Sequence, residues 1–110
     1  MCVCLRRKVM CCKEVRSYYD DNCLHEVYEV SDDGMKNGSY RCFEKNGALE
    51  ISAFYKDDRL DGEYTRYDSR GQVLEKACYV NGQRHGDVLL YGEKIAEYKN
   101  GELVWRKSAE

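Results

Sequence analysis

The chain has 110 residues, which is enough for a single domain, and its formal net charge is −2. This acidic balance argues against nucleic acid as the main partner, because binding phosphate requires a basic surface. Proline is absent, whereas 10 residues are tyrosine and 9 are glycine. The composition favours a thin sheet, in which each tyrosine ring covers apolar area while its hydroxyl stays in contact with water.

Residues 1–16 form a basic segment that contains Arg6-Arg7-Lys8 and most of the chain's 7 cysteines. The cysteines of this segment are Cys2, Cys4, Cys11 and Cys12. We predict a cap or an arm outside the repeat, and three roles stay open for its thiols: burial in a cap strand, zinc binding and S-acylation. Acyl chains beside basic residues would supply the two signals that stable membrane attachment requires.

The sequence has neither a secretory signal nor an apolar stretch of membrane-spanning length. We therefore expect an intracellular, cytoplasmic protein with reduced thiols, with association at a membrane surface as an alternative.

Residues 17–33 read as half of a repeat unit. We align Tyr19–Cys23 with Phe43–Gly47, which places Cys23 at the position of a turn glycine. The segment that follows, Leu24–Val30, is predicted to be a strand.

A period of 24 residues runs through the rest of the chain. The positions equivalent at that spacing are Gly38, Gly62 and Gly86; Tyr40 and Tyr64; Phe43, Tyr67 and Tyr91; Gly47 and Gly71; and Tyr55 and Tyr79. A fixed period of this length is the sequence signature of a repeat architecture. We divide the predicted repeat domain, residues 17–110, into the partial unit 17–33, the units 34–57 and 58–81, a shortened unit 82–101 and a terminal strand at 102–110.

Each unit is predicted to be a β-hairpin. In the second unit, Gly62–Tyr67 is the first strand and Gln72–Val80 is the second, where alternating apolar side chains favour β structure over helix. Asn81-Gly82 turns the chain into the next unit, because both residues tolerate positive φ. Asp57-Asp58 stands in place of Asn-Gly in the first unit. The predicted turn glycines are Gly38, Gly47, Gly62, Gly71, Gly82, Gly86 and Gly101.

The third unit is shorter than the others, because Tyr79 and Tyr98 are 19 residues apart instead of 24. We therefore expect the turn around Gly92 to be tighter than its counterpart at Asp68–Gly71.

Side-by-side hairpins are predicted to bring equivalent rings together in ladders. Tyr40 is expected beside Tyr64, and Phe43 beside Tyr67 and Tyr91. Such cross-strand aromatic pairs each contribute about 0.2–1 kcal/mol to a sheet. The candidate binding residues are Tyr40, Phe43, Tyr64, Tyr67, Tyr79 and Tyr91.

The pattern Gly-x-Tyr-x-x-Tyr…Gly…Tyr-x-Asn-Gly-x-x-x-Gly, repeated over about residues 19–105, resembles the MORN repeat in its variant form. That variant is found in bacterial antitoxin-like proteins, in protists and in large DNA viruses. The resemblance implies an all-β fold, an elongated single-sheet antiparallel β-meander of repeated hairpins. It also implies a protein without catalysis or cofactor, used for protein contacts, dimerisation or attachment near membranes.

The histidines are interpreted as structural residues. His85 precedes Gly86 as Asp61 precedes Gly62, and we predict a turn role for it because both residue types tolerate left-handed backbone. His25 is placed in the sheet, in the same column as Leu49.

The remaining cysteines differ in their predicted environments. Cys78 aligns with Phe54 and Val30 in an apolar column, so we predict a buried core thiol. Cys42 aligns with Arg66 and stays unassigned. Outside the N-terminal cysteines we identify no metal ligands, and we identify no catalytic residues.

These observations predict a non-enzymatic interaction or scaffold module without a cofactor. The expected partner is a protein, a second copy of the chain being one option, and nucleic acid is excluded. Two alternatives remain: an adaptor tethered to a membrane by the cysteine-rich segment, and an antitoxin-like inhibitor of a toxic protein.

Overall fold

The computed structural model describes residues 13–108, and this part of the chain forms strands and turns without a helix. The strands are β1 (Lys13–Tyr18), β2 (Leu24–Val30), β3 (Lys36–Phe43), β4 (Leu49–Lys56), β5 (Arg59–Leu60), β6 (Gly62–Tyr67), β7 (Val73–Val80), β8 (Gln83–Arg84), β9 (Gly86–Leu90), β10 (Glu93–Lys99) and β11 (Glu102–Arg106). The predicted boundary between the N-terminal segment and the repeat domain, after residue 16, falls inside β1. The sheet therefore already includes Lys13.

All strands belong to one 11-stranded sheet with the order β1-β2-β3-β4-β6-β7-β9-β10-β11, in which β5 pairs with β4 and β8 pairs with β7. Every pairing is antiparallel. The predicted antiparallel meander of consecutive hairpins is therefore confirmed. The described residues extend over 56 × 35 × 18 Å, the dimensions of a single layer.

One kind of turn is a type I turn closed by a residue with positive φ. At Asp68–Gln72 the amide of Asp68 donates to the carbonyl of Gln72 at 2.9 Å, and Gly71 has φ 84°. The same backbone pattern closes at Gly34 and Gly47. It needs a residue that adopts left-handed backbone, and glycine does so without steric cost.

The first turn of this kind corrects the alignment of the partial unit. Asn22, with φ 70°, occupies the position of the turn glycine, and Cys23 does not. The predicted alignment was wrong by one residue, because asparagine also tolerates left-handed backbone and was not counted as a glycine substitute. For the same reason Leu24, not His25, shares the column of Leu49.

The other kind of turn has two central residues, both with positive φ, as a type I′ hairpin requires. Asn81-Gly82 and Asn100-Gly101 adopt it, and so does Asp57-Asp58 with φ 51° and 68°. Tyr91-Gly92 also forms such a turn, with φ 48° and 81°. The tighter turn expected around Gly92 is confirmed.

The core of this thin sheet is a row of small side chains. Ala53, Ala77, Val88 and Ala96 are between 1% and 7% exposed, and each lies on a central or C-terminal strand. Strand pairing places Tyr40 opposite Ala53 and Tyr64 opposite Ala77. Alternation along each strand therefore puts these alanines and tyrosines on one face, where the rings cover the alanines.

One cysteine differs from its predicted burial, and one that was left unassigned is now placed. Cys78 is exposed. It follows Ala77 and therefore lies on the opposite face, where Phe54 is also 45% exposed although Thr65 is buried. Cys42 is buried, and burial raises the pKa of its thiol. The prediction of a buried Cys78 was wrong because an apolar column in a single-layer sheet does not identify a covered face.

Candidate functional site: the tyrosine face

One face of the sheet carries an array of tyrosine rings, which we call the tyrosine face. Its rings are Tyr28, Tyr40, Tyr55, Tyr64, Tyr79 and Tyr98. All are partly exposed. They share one face because strand pairing puts Tyr28 opposite Tyr40 and Tyr64 opposite Ala77, while Tyr55 and Tyr79 lie two residues beyond Ala53 and Ala77.

At the N-terminal end of this face, three rings surround one ammonium group. The Lys36 Nζ lies 4.9 Å from the centre of the Tyr28 ring, 5.2 Å from that of Tyr40 and 5.1 Å from that of Tyr55. The Tyr40 ring also contacts those of Tyr28 and Tyr55, with centres 5.9 and 5.5 Å away. Such cation–π contacts hold Lys36 over the rings and close this end of the face.

A carboxylate is hydrogen-bonded at the same end. The Tyr40 hydroxyl donates to Glu26 Oε2 at 2.5 Å, and the Ser17 hydroxyl donates to Oε1 at 3.1 Å. The bond from Tyr40 is the main reason why the pKa of Glu26 is lowered. Burial, and then the bond to Glu26, raise the pKa of Tyr40. Tyr40 is therefore a neutral donor that fixes an ionised Glu26.

The C-terminal end has a different arrangement. The guanidinium carbon of Arg84 lies 5.9 Å from the Tyr79 ring centre and 5.4 Å from that of Tyr98. Glu75 accepts from Arg66 at 3.1 Å and lies 3.7 Å from Arg84 Nη2. Arg84 is thus held by two rings and one carboxylate, and a groove of about 440 Å³ opens beside it.

The predicted binding residues divide into separate groups. Tyr40, Tyr64 and Tyr79 lie on the tyrosine face, and the rings of Tyr64 and Tyr79 are 5.9 Å apart. Tyr40 and Tyr64 are not on neighbouring strands, however, because β4 lies between β3 and β6. The predicted ladder was wrong because the second strand of each hairpin separates equivalent first strands.

The other predicted rings lie where strands end. Phe43 and Tyr67 are the last residues of β3 and β6, and Tyr91 lies in the type I′ turn with 58% of its surface exposed. The Tyr91 hydroxyl donates to Asp68 at 3.1 Å. The prediction missed Tyr28, Tyr55 and Tyr98 as members of the set, although alternation along β4 already places Tyr55 on the face of Ala53.

The residues before the periodic glycines have a role that the sequence did not predict. Asn37, Asp61 and His85 each accept the amide of the first residue in a type I′ turn, from Asp57 at 3.2 Å, from Asn81 at 3.0 Å and from Asn100 at 3.2 Å. The second turn amide donates to the carbonyl of Lys36, Leu60 or Arg84. We call this pair of bonds the turn clasp. Positive φ occurs at Gly86 and not at His85, so the expected left-handed backbone of His85 was wrong.

The remaining chemical groups have simple surroundings. His25 stacks on Tyr19 with ring centres 4.3 Å apart. Cys2, Cys4, Cys11 and Cys12 lie outside the described residues. Within residues 13–108, no group of three or more His, Cys, Asp or Glu side chains is placed to hold a metal ion. The same range contains no helix long and apolar enough to cross a membrane.

Comparison with family models, with curated proteins and with solved structures finds no significant match to the chain. Family membership and function are therefore proposals, supported by the internal repeat and by the tyrosine face.

Proposed function

We propose that the chain is a non-enzymatic interaction module of the MORN-variant type, and that its tyrosine face binds a protein partner. One observation carries this proposal: partly exposed tyrosine rings line one face of a single-layer sheet, and no segment of residues 13–108 forms a second layer over them.

The residue type suits a protein interface. A tyrosine ring buries apolar area while its hydroxyl keeps a polar partner, and tyrosine is enriched among the residues that dominate binding energy. Contacts between Tyr40 and Tyr55, and between Tyr64 and Tyr79, hold the rings in place before a partner arrives. Fixed side chains lose little conformational entropy on binding, which favours affinity.

The dimensions of the sheet also suit this role. A typical specific interface buries roughly 800 Å² on each partner. A sheet 56 Å long and 35 Å wide offers a surface larger than that. A partner therefore has room to contact both the Lys36 end and the Arg84 end.

The repeated turn clasp supports the MORN-variant part of the proposal. Gly38, Gly62 and Gly86 all have positive φ, between 99° and 122°. Each is preceded by a side chain that accepts a turn amide. The structural repeat thus follows the 24-residue sequence repeat at the level of individual hydrogen bonds.

The surroundings of the nucleophilic and basic groups support a non-enzymatic role. The Nδ1 of His85 is engaged by the Asn100 amide, and His25 is stacked on a ring. Burial raises the pKa of Cys42, which favours the unreactive thiol.

Site-specific photocrosslinking tests the proposal. A photoreactive phenylalanine analogue replaces Tyr79 in one variant and Phe54, on the opposite face, in a matched control. In extracts of the native source, we expect one protein to be crosslinked from position 79 and not from position 54. Crosslinking of the same protein from position 54 alone would refute the assignment of the face.

The alternative roles give different results. Flotation of the full chain with vesicles, lost when residues 1–12 are removed, indicates the membrane adaptor. Toxicity of the crosslinked partner when it is expressed alone, and rescue by this chain, indicates the antitoxin-like inhibitor.

A further inference from the structure

The groove beside Arg84, which we call the C-terminal groove, exists because one repeat position changes. Tyr40 and Tyr64 are followed at the same spacing by Val88. Tyr40 pairs with Ala53 and Tyr64 pairs with Ala77, whereas Val88 pairs with Ala96. A valine side chain is much shorter than a tyrosine ring, and the groove opens at this position, next to the side chains of Tyr79, Ile95 and Tyr98 that pack against Val88 and Ala96.

The floor of the groove is apolar. Val88, Ile95, Ala96 and Leu103 line it, and its volume is about 440 Å³. Val88 is 3% exposed and Ala96 is 7% exposed, because the side chains of Tyr79, Ile95 and Tyr98 pack against them. Ligand sites in proteins are concave, mostly apolar and typically about 300–1,000 Å³ in volume, with a small number of polar groups that orient the ligand.

The rim of the groove is positively charged. Arg84, Arg106 and Lys107 line it, and Glu75 is the one carboxylate among its lining residues. Glu75 is already shared between Arg66 and Arg84, and Lys107 is paired with Glu93. These four cations and two anions leave an excess of positive charge on a chain whose formal net charge is −2.

Arg106 is the cation of the rim that takes part in none of these ion pairs. Its neighbour in β10 is Ala96, so the guanidinium rises directly from the apolar floor. Among residues 13–108 it has neither an ion-pair partner nor a ring contact. A planar guanidinium with free donors matches a carboxylate in bidentate geometry.

We propose that the C-terminal groove binds a small organic carboxylate that has an apolar body. The body lies over Val88, Ala96 and Leu103, and the carboxylate accepts hydrogen bonds from Arg106. Arg84, fixed by the rings of Tyr79 and Tyr98, adds positive potential at the edge of the same site. The groove lies at the Arg84 end of the tyrosine face, but binding of a small carboxylate there does not depend on the protein-binding role proposed above.

The test is a titration of the 15N-labelled full chain with 3-phenylpropionate, followed by NMR, with the neutral 3-phenylpropanamide as a matched ligand. We expect shifts concentrated at Val88, Ala96 and Arg106, with a Kd of about 0.1–1 mM for so small a ligand. The amide is expected to bind at least about tenfold more weakly, because it has no charge to offer Arg106. Equal binding of acid and amide would overturn the proposal.

Two variants locate the site. Arg106→Gln removes the unpaired guanidinium and is expected to weaken binding of 3-phenylpropionate about tenfold. Arg41→Gln is its control, because Arg41 is equally an exposed strand arginine but pairs with Val27 on the opposite face. An equal loss in both variants would mean non-specific attraction, which contradicts the proposal.

Val88→Tyr restores the residue found at the two equivalent positions and fills the groove with a ring. We expect it to abolish binding while thermal unfolding stays cooperative. If this variant fails to fold, the comparison of Arg106→Gln with Arg41→Gln still decides. Unchanged binding in folded Val88→Tyr would place the ligand elsewhere.

Discussion

The two ends of the tyrosine face have the same backbone plan but different packing. At the N-terminal end, Tyr28, Tyr40 and Tyr55 surround the Lys36 ammonium group, and Glu26 accepts a hydrogen bond from the Tyr40 hydroxyl. At the C-terminal end, Ala96 pairs with Val88 where Tyr28 pairs with Tyr40 at the other end, and Arg84 borders a groove. A repeat thus specifies the strands and turns, while single substitutions decide where the face is filled and where it is open.

The largest expected difference concerns equivalent glycines at the two ends. A Cβ at Gly38 would lie within 3.3 Å of the Glu29 side chain, whose carboxylate accepts the Ser39 amide at 3.0 Å. At Gly86 the added Cβ would meet no atom within 4 Å, and only the positive φ is unfavourable. We expect Gly38→Ala to lower the free energy of unfolding by about 2–3 kcal/mol, and Gly86→Ala by about 1 kcal/mol.

Urea unfolding of both variants measures this difference. The two substitutions are chemically identical and occupy equivalent repeat positions, so each is the control for the other. Equal losses would mean that the ends are equally packed around these glycines.

Enlarging the buried alanines tests the packing above the strands. Both alanines are buried, but Ala53, 2% exposed, lies opposite the Tyr40 ring, whereas Ala96, 7% exposed, borders the C-terminal groove. We expect Ala53→Leu to lower the free energy of unfolding by about 2 kcal/mol, because overpacking displaces the rings. Ala96→Leu is expected to change it by less than about 1 kcal/mol, since the groove accommodates the added atoms. Thermal unfolding that ranks Ala96→Leu as the worse variant would contradict an open groove.

The pH dependence of stability separates the ends further. The pKa of Glu26 is lowered in the folded chain, chiefly by the Tyr40 hydroxyl. Its contribution is therefore fully present above the pKa of Glu26 in the unfolded chain, and is lost as the pH falls through the lower folded value. Tyr40→Phe keeps the ring but removes the donor. We expect it to cost about 1 kcal/mol at neutral pH and to flatten the loss of stability in acid.

Urea midpoints measured from pH 7 down to pH 3 check this prediction. Tyr64→Phe is the control, because Tyr64 occupies the equivalent repeat position. Within residues 13–108, the Tyr64 hydroxyl makes no hydrogen bond to a carboxylate like that of Tyr40. If the acid profiles of Tyr40→Phe and the unsubstituted chain ran parallel, the Tyr40 hydroxyl would not be the group that lowers the pKa of Glu26.

The sequence predicted the sheet well because its signals are local. Asn81-Gly82 specifies a type I′ turn through its own backbone preferences, and the 19-residue spacing of Tyr79 and Tyr98 implies the tight turn at Gly92. Even Asp57-Asp58 adopts positive φ, because the clasp supplied by Asn37 and Lys36 supports it.

The candidate site was predicted less well because it depends on which strands are neighbours. Equivalent residues of a repeat, such as Tyr40 and Tyr64, are easily mistaken for spatial neighbours, although β4 separates them. Apolar columns do not reveal which face the rings cover, so Cys78 was placed inside when it is exposed. The C-terminal groove depends on the missing ring at Val88. The 24-residue spacing shows this substitution, but the strand pairing decides whether neighbouring side chains fill the space.

The smallest expected effect concerns the turn clasps, which use an amide at one end and an imidazole at the other. His85 accepts the Asn100 amide, as Asn37 accepts that of Asp57. We expect His85→Ala to lower the free energy of unfolding by about 0.5–1 kcal/mol, whereas His85→Asn retains an acceptor and is expected to be close to neutral. Hydrogen exchange of the Asn100 amide gives a local readout. It should become faster in His85→Ala and not in Asn37→Ala, which instead exposes the Asp57 amide. Unchanged protection of Asn100 in His85→Ala would show that the backbone bond from Gly101 to Arg84 holds this turn without the side chain.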